Sequence, residues 1–373
     1  MIFFDTRACM YPNCFDENVK SHAVSRSISL QSIAEDFHLY SFIPHQNSID
    51  TKEPRLKKVS TNKATRHYCF CDTHEEVFKR LDDFEIENSE DILLQVYRSL
   101  CVAYNQEKTA TINLGKLNDL ESYKDISLEA AESFLRGSKF ESLIPMLTEP
   151  SVLKIVQRKI KFILSEAIDD ELVQIEKLLD QTKILSDKID SISVPCNELQ
   201  TVSFEDFDHT IFYYKTDFQI PVALNTVQHG KWGENKIRIY STVIPYKNSS
   251  VIIGVLPNLL LTDQVLVDKV NDYFSSEYKV VKYVESIMST SDGWFLKQSV
   301  INNMPEEKKD FFSTDCMFLN ERKLFHDYDL SIFDELKIKK LDMSPEEKEL
   351  LYIPIRPDYD FRYKNMLEVM ELS

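Results

Sequence analysis

The chain has 373 residues, of which 43% are hydrophobic and 28% are charged. It can therefore bury a substantial core, and its length predicts more than one domain. The formal net charge of -17 at pH 7 argues against a protein that coats nucleic acid or an anionic membrane with its whole surface. The sequence contains no run of eighteen apolar residues and no secretory signal, and its seven cysteines are an odd number. We therefore expect a cytoplasmic protein without a membrane partner or a disulfide framework.

Four potential metal ligands lie in two close pairs near the start of the chain. Four residues separate Cys9 from Cys14, and two residues separate Cys71 from His74. A thiolate pair on a tight turn, followed by a second pair at the start of a helix, is how a small domain builds a tetrahedral zinc site. We therefore predict a zinc-binding module over residues 1–84, with a structural Zn²⁺ ion as its cofactor.

Other residues of this segment are alternative ligands. Cys69 could replace Cys71, because residues 69 and 71 of an extended segment point to the same face. His22 and His67 are further candidates. We prefer Cys71, since the Cys-x-x-His spacing suits a helix start. Free cysteines are also common as small buried hydrophobic residues, and this is what we expect of Cys101, Cys196 and Cys316.

Secondary structure in the first 84 residues is predicted from local patterns. Residues 19–25 are typical of a short strand, and residues 44–64 are predicted to be a loop. From residue 73 onward, apolar side chains at positions 77, 78 and 81 repeat at helical spacing. Cys71 and His74 would then lie at the amino terminus of a helix, which would hold both ligands rigidly.

Positive charge is concentrated near the predicted metal site. The first 80 residues contain 11 Lys and Arg against 10 Asp and Glu, whereas the remainder contains 33 against 51. A basic run opposed only by Glu53 consists of Lys52, Arg55, Lys57, Lys58, Lys63 and Arg66. Such a run beside a zinc site could contact the phosphates of DNA or RNA. The alternative is a solvated loop whose charges have no specific partner.

The middle of the chain, residues 85–195, is predicted to be a helical region. Pro150 and Pro195 enclose a segment without internal proline or glycine, and we predict one long helix over residues 151–192. Its later part places apolar residues at alternating spacings of three and four, close to a heptad seam. This seam would pack either on the chain's own helices or on a second copy, so self-association through the long helix is one expected partnership.

Residues 196–373 are predicted to form an α+β domain with a largely antiparallel sheet, which makes the whole chain an α+β multidomain protein. Four β-rich runs predict strands at residues 210–214, 237–240, 251–255 and 278–281. Residues 266–274, 320–326 and 345–351 are predicted to be helical. The sequence has neither a GxGxxG motif nor a Walker A loop, which argues against nucleotide-binding sites of those types.

The paired ligands, with a histidine between them, resemble the treble clef of the HNH nuclease superfamily over about the first 80 residues. His22 lies near the position of that family's general-base histidine, and Asn62 near the position of its asparagine. The resemblance implies a zinc knuckle followed by a hairpin and a helix. It also implies that His22 would deprotonate a water molecule while a second ion, Mg²⁺ or Mn²⁺, stabilises the leaving oxygen.

The sequence departs from the HNH pattern at two places. Ser21 occupies the position where the family carries an acidic residue before the base histidine. Residues 77–79 are Val-Phe-Lys where a metal-binding histidine is expected on the helix. Asp72, Glu75 or Glu76 would have to replace that histidine, or the clef is structural and has no catalytic chemistry.

The chain also looks like a loosely defined set of bacterial proteins. The matching residues are Cys9, the Tyr-Pro-Asn-Cys of residues 11–14, Ser21-His22, and the Phe-Cys-Asp-Thr-His of residues 70–74. This resemblance implies a place among bacterial defence or mobile-element genes.

Three functions from different classes follow from these features. The first is a zinc-binding interaction or regulatory protein whose amino-terminal module contacts nucleic acid or a protein partner. The second is a divergent HNH-type, metal-dependent endonuclease that uses His22. The third is a structural scaffold protein without metal.

Overall fold

The chain forms two compact units that are discontinuous in sequence, one with residues 1–103 and 181–355, the other with residues 104–180 and 356–373. Among the described residues, no helix is both long enough and apolar enough to cross a bilayer. The computed structural model describes residues 8–42, 56–118, 127–135, 141–161, 177, 180, 194–232, 235–316, 324–341, 343, 345–349, 351, 354–357 and 361–362.

Ten strands are described, and all belong to the first unit. Their bounds are β1 Ser21–His22, β2 His38–Phe42, β3 Leu56–Ser60, β4 Arg66–His67, β5 Gln200–Ser203, β6 His209–Thr216, β7 Val222–Trp232, β8 Asn235–Pro245, β9 Ser250–Pro257 and β10 Trp294–Leu296. Eight of them form one antiparallel sheet in the order β3-β2-β10-β7-β8-β9-β6-β5. The predicted α+β class with a largely antiparallel sheet is therefore confirmed.

Strands β1 and β4 form a separate two-stranded antiparallel pair, which we call the ribbon. Ser21 lies opposite His67, and His22 lies opposite Arg66. Two strands from the first 84 residues, β2 and β3, join the large sheet at one edge. The amino-terminal segment and the large sheet thus belong to the same compact unit.

Helices complete both units. Their bounds are α1 Gln31–Ile33, α2 Asp72–Glu75, α3 Lys79–Asp83, α4 Ser89–Asn118, α5 Leu128–Leu135, α6 Gln264–Tyr273, α7 Glu277–Ser289, α8 Gln298–Asn302, α9 Glu306–Asp315, α10 Asp334–Lys340 and α11 Pro345–Glu349. Short helical turns of other types cover Arg26–Leu30, Glu76–Phe78, Glu141–Met146 and Asn258–Thr262. Residues 150–161 are also helical.

The main core lies against one face of the large sheet. Strand β9 is buried along most of its length, which explains its continuous apolar sequence. Gly254 of β9 lies opposite Phe212 of β6, and a Cβ atom at Gly254 would come within 2.0 Å of the Phe212 ring. Glycine at this position therefore leaves the space that the Phe212 ring occupies against the neighbouring strand. Helices α6 and α7 contribute Leu266, Val280 and other buried side chains to the same cluster.

The first turns of α4 contact the opposite face of the sheet through polar groups. Thr242 of β8 donates a hydrogen bond to the Ser99 hydroxyl at 3.0 Å. Gln95, one turn earlier on the same helix, donates to the Ala23 carbonyl at 2.9 Å. Helix α4 therefore links the large sheet to the residues that follow the first cysteine pair.

The second unit has its own small apolar cluster. Ala131 and Leu135 of α5 pack with Leu147, Val156 and Ile160. Residues 151–161 of the predicted long helix are helical. Most of the segment from 162 to 192, including the predicted heptad seam, lies outside the described residues.

Three sequence predictions about secondary structure are wrong. In the predicted helix 320–326, the described residues 324–326 are not helical, and the others lie outside the described residues. Residues 56–60, predicted as part of a loop, form strand β3, because Leu56 and Val59 pair with β2 at the sheet edge. Residues 278–281, predicted as a strand, begin helix α7. The Ser276 side chain accepts a hydrogen bond from the Lys279 backbone and caps this helix.

Candidate metal centre

The first cysteine pair is held by a tight turn. The Cys14 backbone donates to the Tyr11 carbonyl at 3.1 Å, and the Cys9 backbone donates to the Asp16 carbonyl at 2.8 Å. Asn13 within the turn has a φ of 60°, a left-handed conformation that asparagine tolerates better than most residues. The turn reverses the chain and brings both cysteines to the same side.

The second pair lies where the chain enters helix α2. Cys71 is extended and precedes the helix, and the backbone N–H groups of His74 and Glu75 both donate to its carbonyl. The Met10 backbone donates to the Cys69 carbonyl at 2.7 Å. This hydrogen bond brings the turn of the first pair against the segment that carries the second pair.

The four predicted ligands converge on one point. The ligand atoms of Cys9, Cys14, Cys71 and His74 all lie within 4.8 Å of one another. The Cys14 and Cys71 sulfurs are 3.8 Å apart, and the Cys9 sulfur is 3.5 Å from His74 Nδ1. A tetrahedral ion with Zn–S bonds of about 2.3 Å and Zn–N bonds of about 2.0 Å separates two sulfurs by about 3.8 Å and a sulfur from a nitrogen by about 3.5 Å. These separations match, and the 3.2 Å between Cys71 Sγ and His74 Nδ1 is slightly shorter.

The His74 ring is fixed from one side by an aromatic stack. Tyr11 lies parallel to it, with ring centroids 4.0 Å apart and planes 10° apart. Nδ1 of His74 is the nitrogen that faces the Cys9 and Cys71 sulfurs. The Tyr11 stack restricts the tilt of the imidazole, and Nδ1 is the nitrogen that would face a bound ion.

Because the cluster is buried, the charged thiolate forms of its cysteines are unfavourable unless a cation is bound. Desolvation raises the pKa of the Cys9 thiol to about 12, although the Cys71 and Tyr11 backbones donate hydrogen bonds toward its sulfur. Coordination to a divalent cation reverses this effect, because the cation deprotonates a thiol that it binds. The site therefore has the donor set and the desolvation that suit zinc.

Cys69, the predicted substitute ligand, is not part of the cluster. It is fully buried, and its sulfur donates to the Cys101 carbonyl at 3.5 Å.

All seven cysteines are free. Cys101 and Cys316 are buried as expected, but the same expectation for Cys196 is wrong, since its side chain is exposed. Cys196 forms an isolated bridge with Lys215, and the Asn197 backbone donates to the Lys215 carbonyl at 2.7 Å.

A buried arginine that sequence reasoning missed lies beside the metal centre. Arg98 of α4 is only 1% exposed. Its guanidinium donates to Asp82 at 2.9 Å and to the Ser21 hydroxyl at 3.1 Å, and it lies 3.4 Å from the Glu75 carboxylate. Ser21 in turn donates to Glu75 at 2.5 Å. Arg98 therefore connects the ribbon to helix α2 immediately after the ligand His74. The sequence feature that could have indicated Arg98 is its position as the one charged residue in the mostly apolar stretch 92–104.

Burial favours the neutral form of both histidines of the ribbon. Burial, aided by Arg98, lowers the pKa of His67 to about 3, and its ring nitrogens make no well-formed hydrogen bond within the described chain. Burial also lowers the pKa of half-buried His22. Nδ1 of His22 lies 2.8 Å from the Ala64 carbonyl. Because a carbonyl oxygen only accepts, Nδ1 carries the proton and Nε2 is the basic nitrogen.

Asn62 does not contact His22 through any described hydrogen bond. Its side-chain oxygen accepts from Arg26 at 2.5 Å, and it lies in the turn between β3 and β4. The predicted catalytic pair is therefore split between β1, which carries His22, and the turn before β4, which carries Asn62. The Asn62 side chain is hydrogen-bonded to Arg26.

The predicted basic run is distributed over three elements. Lys57 and Lys58 are exposed on β3, Lys63 is exposed in the following turn, and Arg66 is exposed on β4. Lys52 and Arg55 lie outside the described residues. No aspartate or glutamate occurs between positions 53 and 72, so the four described cations share a segment without acidic residues.

Among the described residues, the Cys9, Cys14, Cys71 and His74 side chains are the one group of three or more ligand-type residues with the geometry to hold a metal ion. Metal binding is inferred from the geometry and chemistry of these four side chains. Comparisons of the chain with protein-family models, with curated proteins and with solved structures find no match.

Proposed function

We propose that this chain is a zinc-stabilised interaction protein of the cytoplasm that contacts nucleic acid. The convergence of three cysteines and one histidine carries the proposal. Four protein ligands fill the tetrahedral coordination of zinc and leave no position for water or substrate, which is the pattern of a structural rather than a catalytic zinc. Seven free cysteines suit a reducing compartment.

The role of the ion follows from the segments that its ligands join. Cys9 and Cys14 lie on one turn, and Cys71 and His74 lie almost sixty residues later at a helix start. A zinc ion would hold this helix start, and the ribbon just before it, against the first turn. The chemistry it supplies is charge neutralisation of the buried thiolates.

Nucleic-acid contact is supported by the position of the cations. Lys57, Lys58, Lys63 and Arg66 are exposed on the segment immediately before Cys71, while the whole chain has a net charge of -17. A basic segment on an acidic protein can bind phosphates without promoting indiscriminate adhesion elsewhere. The zinc centre would hold the end of this segment, next to Cys71, in one conformation.

A divergent HNH-type nuclease is the second candidate function, favoured by the neutral His22 with its basic Nε2. Its surroundings argue against this reading. The charged side chains that lower the pKa of His22, after burial itself, are Arg98, Arg26 and Lys20, all cations. A catalytic Mg²⁺ or Mn²⁺ beside His22 would be repelled by these charges unless further carboxylates joined the site.

The zinc-loaded protein is expected to bind labelled DNA with an affinity that falls steeply as salt rises. Replacing Lys57 and Lys58 together with alanine should reduce the magnitude of the log–log salt slope by about 1 to 2, because each lost phosphate contact contributes about 0.7 to 0.9. Fluorescence anisotropy over a salt series measures this slope. The matched control is Lys247→Ala, which removes an exposed lysine after strand β8 and should leave the slope unchanged.

Two outcomes would contradict this proposal. One is the absence of binding to single-stranded and duplex DNA or RNA at low salt by protein that contains zinc. The other is plasmid cutting that requires Mg²⁺ or Mn²⁺ and disappears in His22→Ala, which would identify a nuclease instead.

A further inference from the structure

The ribbon presents two faces of different character. Ser21, His67 and the following Cys69 are buried, whereas Lys20, Arg66 and Tyr68 are exposed. Successive side chains of an extended strand point to opposite faces, and His22 lies opposite Arg66 in the register. Continuing that register by one residue places Lys20 opposite Tyr68. The outward face of the ribbon therefore consists of Lys20, His22, Arg66 and Tyr68.

This face combines an exposed aromatic ring with positive charge. The Tyr68 side chain is 45% exposed. The Arg66 guanidinium lies 5.8 Å from the centroid of the Tyr68 ring. Among the described residues, no ion pair joins Lys20 or Arg66 to a carboxylate, so no described carboxylate pairs directly with the positive charge of this face. Lys20 and Arg26 both act on His22 as positive charges.

The position of the ribbon ties it to the metal centre. Its second strand ends at His67, four residues before Cys71, and its first strand begins seven residues after Cys14. The Asn18 side chain donates to the Tyr68 carbonyl at 3.0 Å, which fixes the backbone on which the tyrosine ring is mounted. The aromatic ring is thus carried by ordered backbone between the two ligand pairs.

A ring flanked by cations fits one class of polyanion better than others. In a duplex, the faces of the bases are stacked on one another and are not accessible to a side chain. In a single strand, a base can stack on an aromatic ring while lysine and arginine contact its phosphates, and each such stack is worth about 1 to 3 kcal/mol. An acidic peptide would use the cations but would gain little from the exposed ring.

We propose that the outward face of the ribbon binds single-stranded nucleic acid, with a base stacked on Tyr68 and phosphates contacted by Lys20 and Arg66. This inference rests on the proposed function, because it names the class of nucleic acid and the residues that would select it. It adds one further basic residue, Lys20, and one aromatic residue, Tyr68, to the basic residues that the sequence indicated.

The test measures fluorescence anisotropy of the full-length, zinc-loaded protein with labelled oligothymidine and oligouridine of about 15 nucleotides, a length near the upper site size of single-strand-binding folds. A duplex of the same length is measured in parallel. We expect tighter binding to the single strands.

Tyr68→Ala should weaken that binding about tenfold, within the range for one lost stack, while Tyr68→Phe should bind as the unmodified protein does. Lys20→Ala and Arg66→Ala should each reduce the salt slope by about 0.7.

Matched controls separate stacking from general damage. Phe37→Ala removes another exposed aromatic ring from the same compact unit, and Lys247→Ala removes another exposed lysine. Neither should change the affinity. Zinc content and circular dichroism of every variant should match those of the unmodified protein, so that a loss of binding is not a loss of folding.

Each remaining outcome overturns the inference in a distinct way. If Tyr68→Ala binds single strands as tightly as the unmodified protein, or if duplex binds equally well, the ribbon face is not a stacking surface. If binding still depends on Lys57 and Lys58 in that case, the proposed function stands and only this inference fails. If polyglutamate competes as well as the oligonucleotide does, the partner is an acidic protein. If zinc-loaded protein binds no nucleic acid at all, the inference fails together with the nucleic-acid part of the proposed function.

Discussion

Replacing Cys14 with serine is expected to release the metal ion and to destabilise the segment that its four ligands join. A serine hydroxyl is not deprotonated near pH 7 and is a poor zinc ligand, so three ligands would remain. Structural zinc contributes about 10 to 16 kcal/mol to the folding of small zinc-finger peptides. Here hydrogen bonds and packing against α4 also hold the segment. We therefore expect the free energy of unfolding to fall by about 4 kcal/mol or more.

Denaturant unfolding with excess zinc and with chelator measures this effect. Chelator should destabilise the unmodified protein and have little further effect on Cys14→Ser. Cys196→Ser is the matched control, because it removes an exposed thiol outside the cluster and should leave both metal content and stability unchanged. A Cys14→Ser variant that is as stable as the unmodified protein, both with and without chelator, would contradict a structural metal.

Replacing Glu285 with alanine is expected to destabilise the first unit strongly. Glu285 of α7 and Lys337 of α10 are both 0% exposed, and the lysine donates to both carboxylate oxygens at 2.8 and 2.7 Å. The Ile332 and Phe333 backbones donate to the same carboxylate. Burial opposes ionisation of Glu285, but Lys337 and Lys282 outweigh it and keep the pKa of the carboxyl below its ordinary value. The variant would leave a buried lysine and two N–H groups without their acceptor, which costs about 3 to 5 kcal/mol.

A second ion pair on the same helix supplies the control. Glu335 and Lys339 of α10 also form an ion pair, but both side chains are more than half exposed. Glu335→Ala should cause no measurable change, because water replaces the lost partner. Urea unfolding of both variants compares the pairs directly. The double variant Glu285→Leu with Lys337→Met should recover part of the loss, since it removes both buried charges together. Equal effects of Glu285→Ala and Glu335→Ala would show that the buried pair is not important for stability.

The sequence could predict which four side chains converge, because a metal site requires ligand pairs with a local spacing. Cys9 with Cys14, and Cys71 with His74, are each close enough in sequence to share one turn or one helix start. The choice between Cys69 and Cys71 needed the three-dimensional path of the chain, since only Cys71 lies at the helix entry while Cys69 turns into the core against Cys101.

Secondary structure was predictable where a β-rich run lies in a strand of the buried sheet. The runs at 210–214, 237–240 and 251–255 were correctly predicted as strands, because each is a β-rich run in a sheet that is buried on both faces. The run at 278–281 has the same composition but belongs to a helix, since buried residues continue at Val284 and Ile287 with helical spacing. A four-residue window was too short to separate the two patterns.

Contacts between distant segments could not be read from the sequence. The Arg98 side chain contacts Ser21, Glu75 and Asp82, and these three partners lie on three different elements. The outward face of the ribbon depends on a register between residues more than forty positions apart. Such pairings depend on the whole fold, so composition near Arg66 indicated a basic segment but not its combination with Lys20 and Tyr68.

Metal analysis of the purified protein tests the central claim most directly. Elemental analysis by mass spectrometry should find one zinc ion per chain, and Cys71→Ser should contain none. Replacement of zinc by Co²⁺ should give the absorption of a tetrahedral site with three thiolates and one imidazole. Protein that is folded and contains no stoichiometric transition metal, with stability unaffected by chelator, would contradict the account.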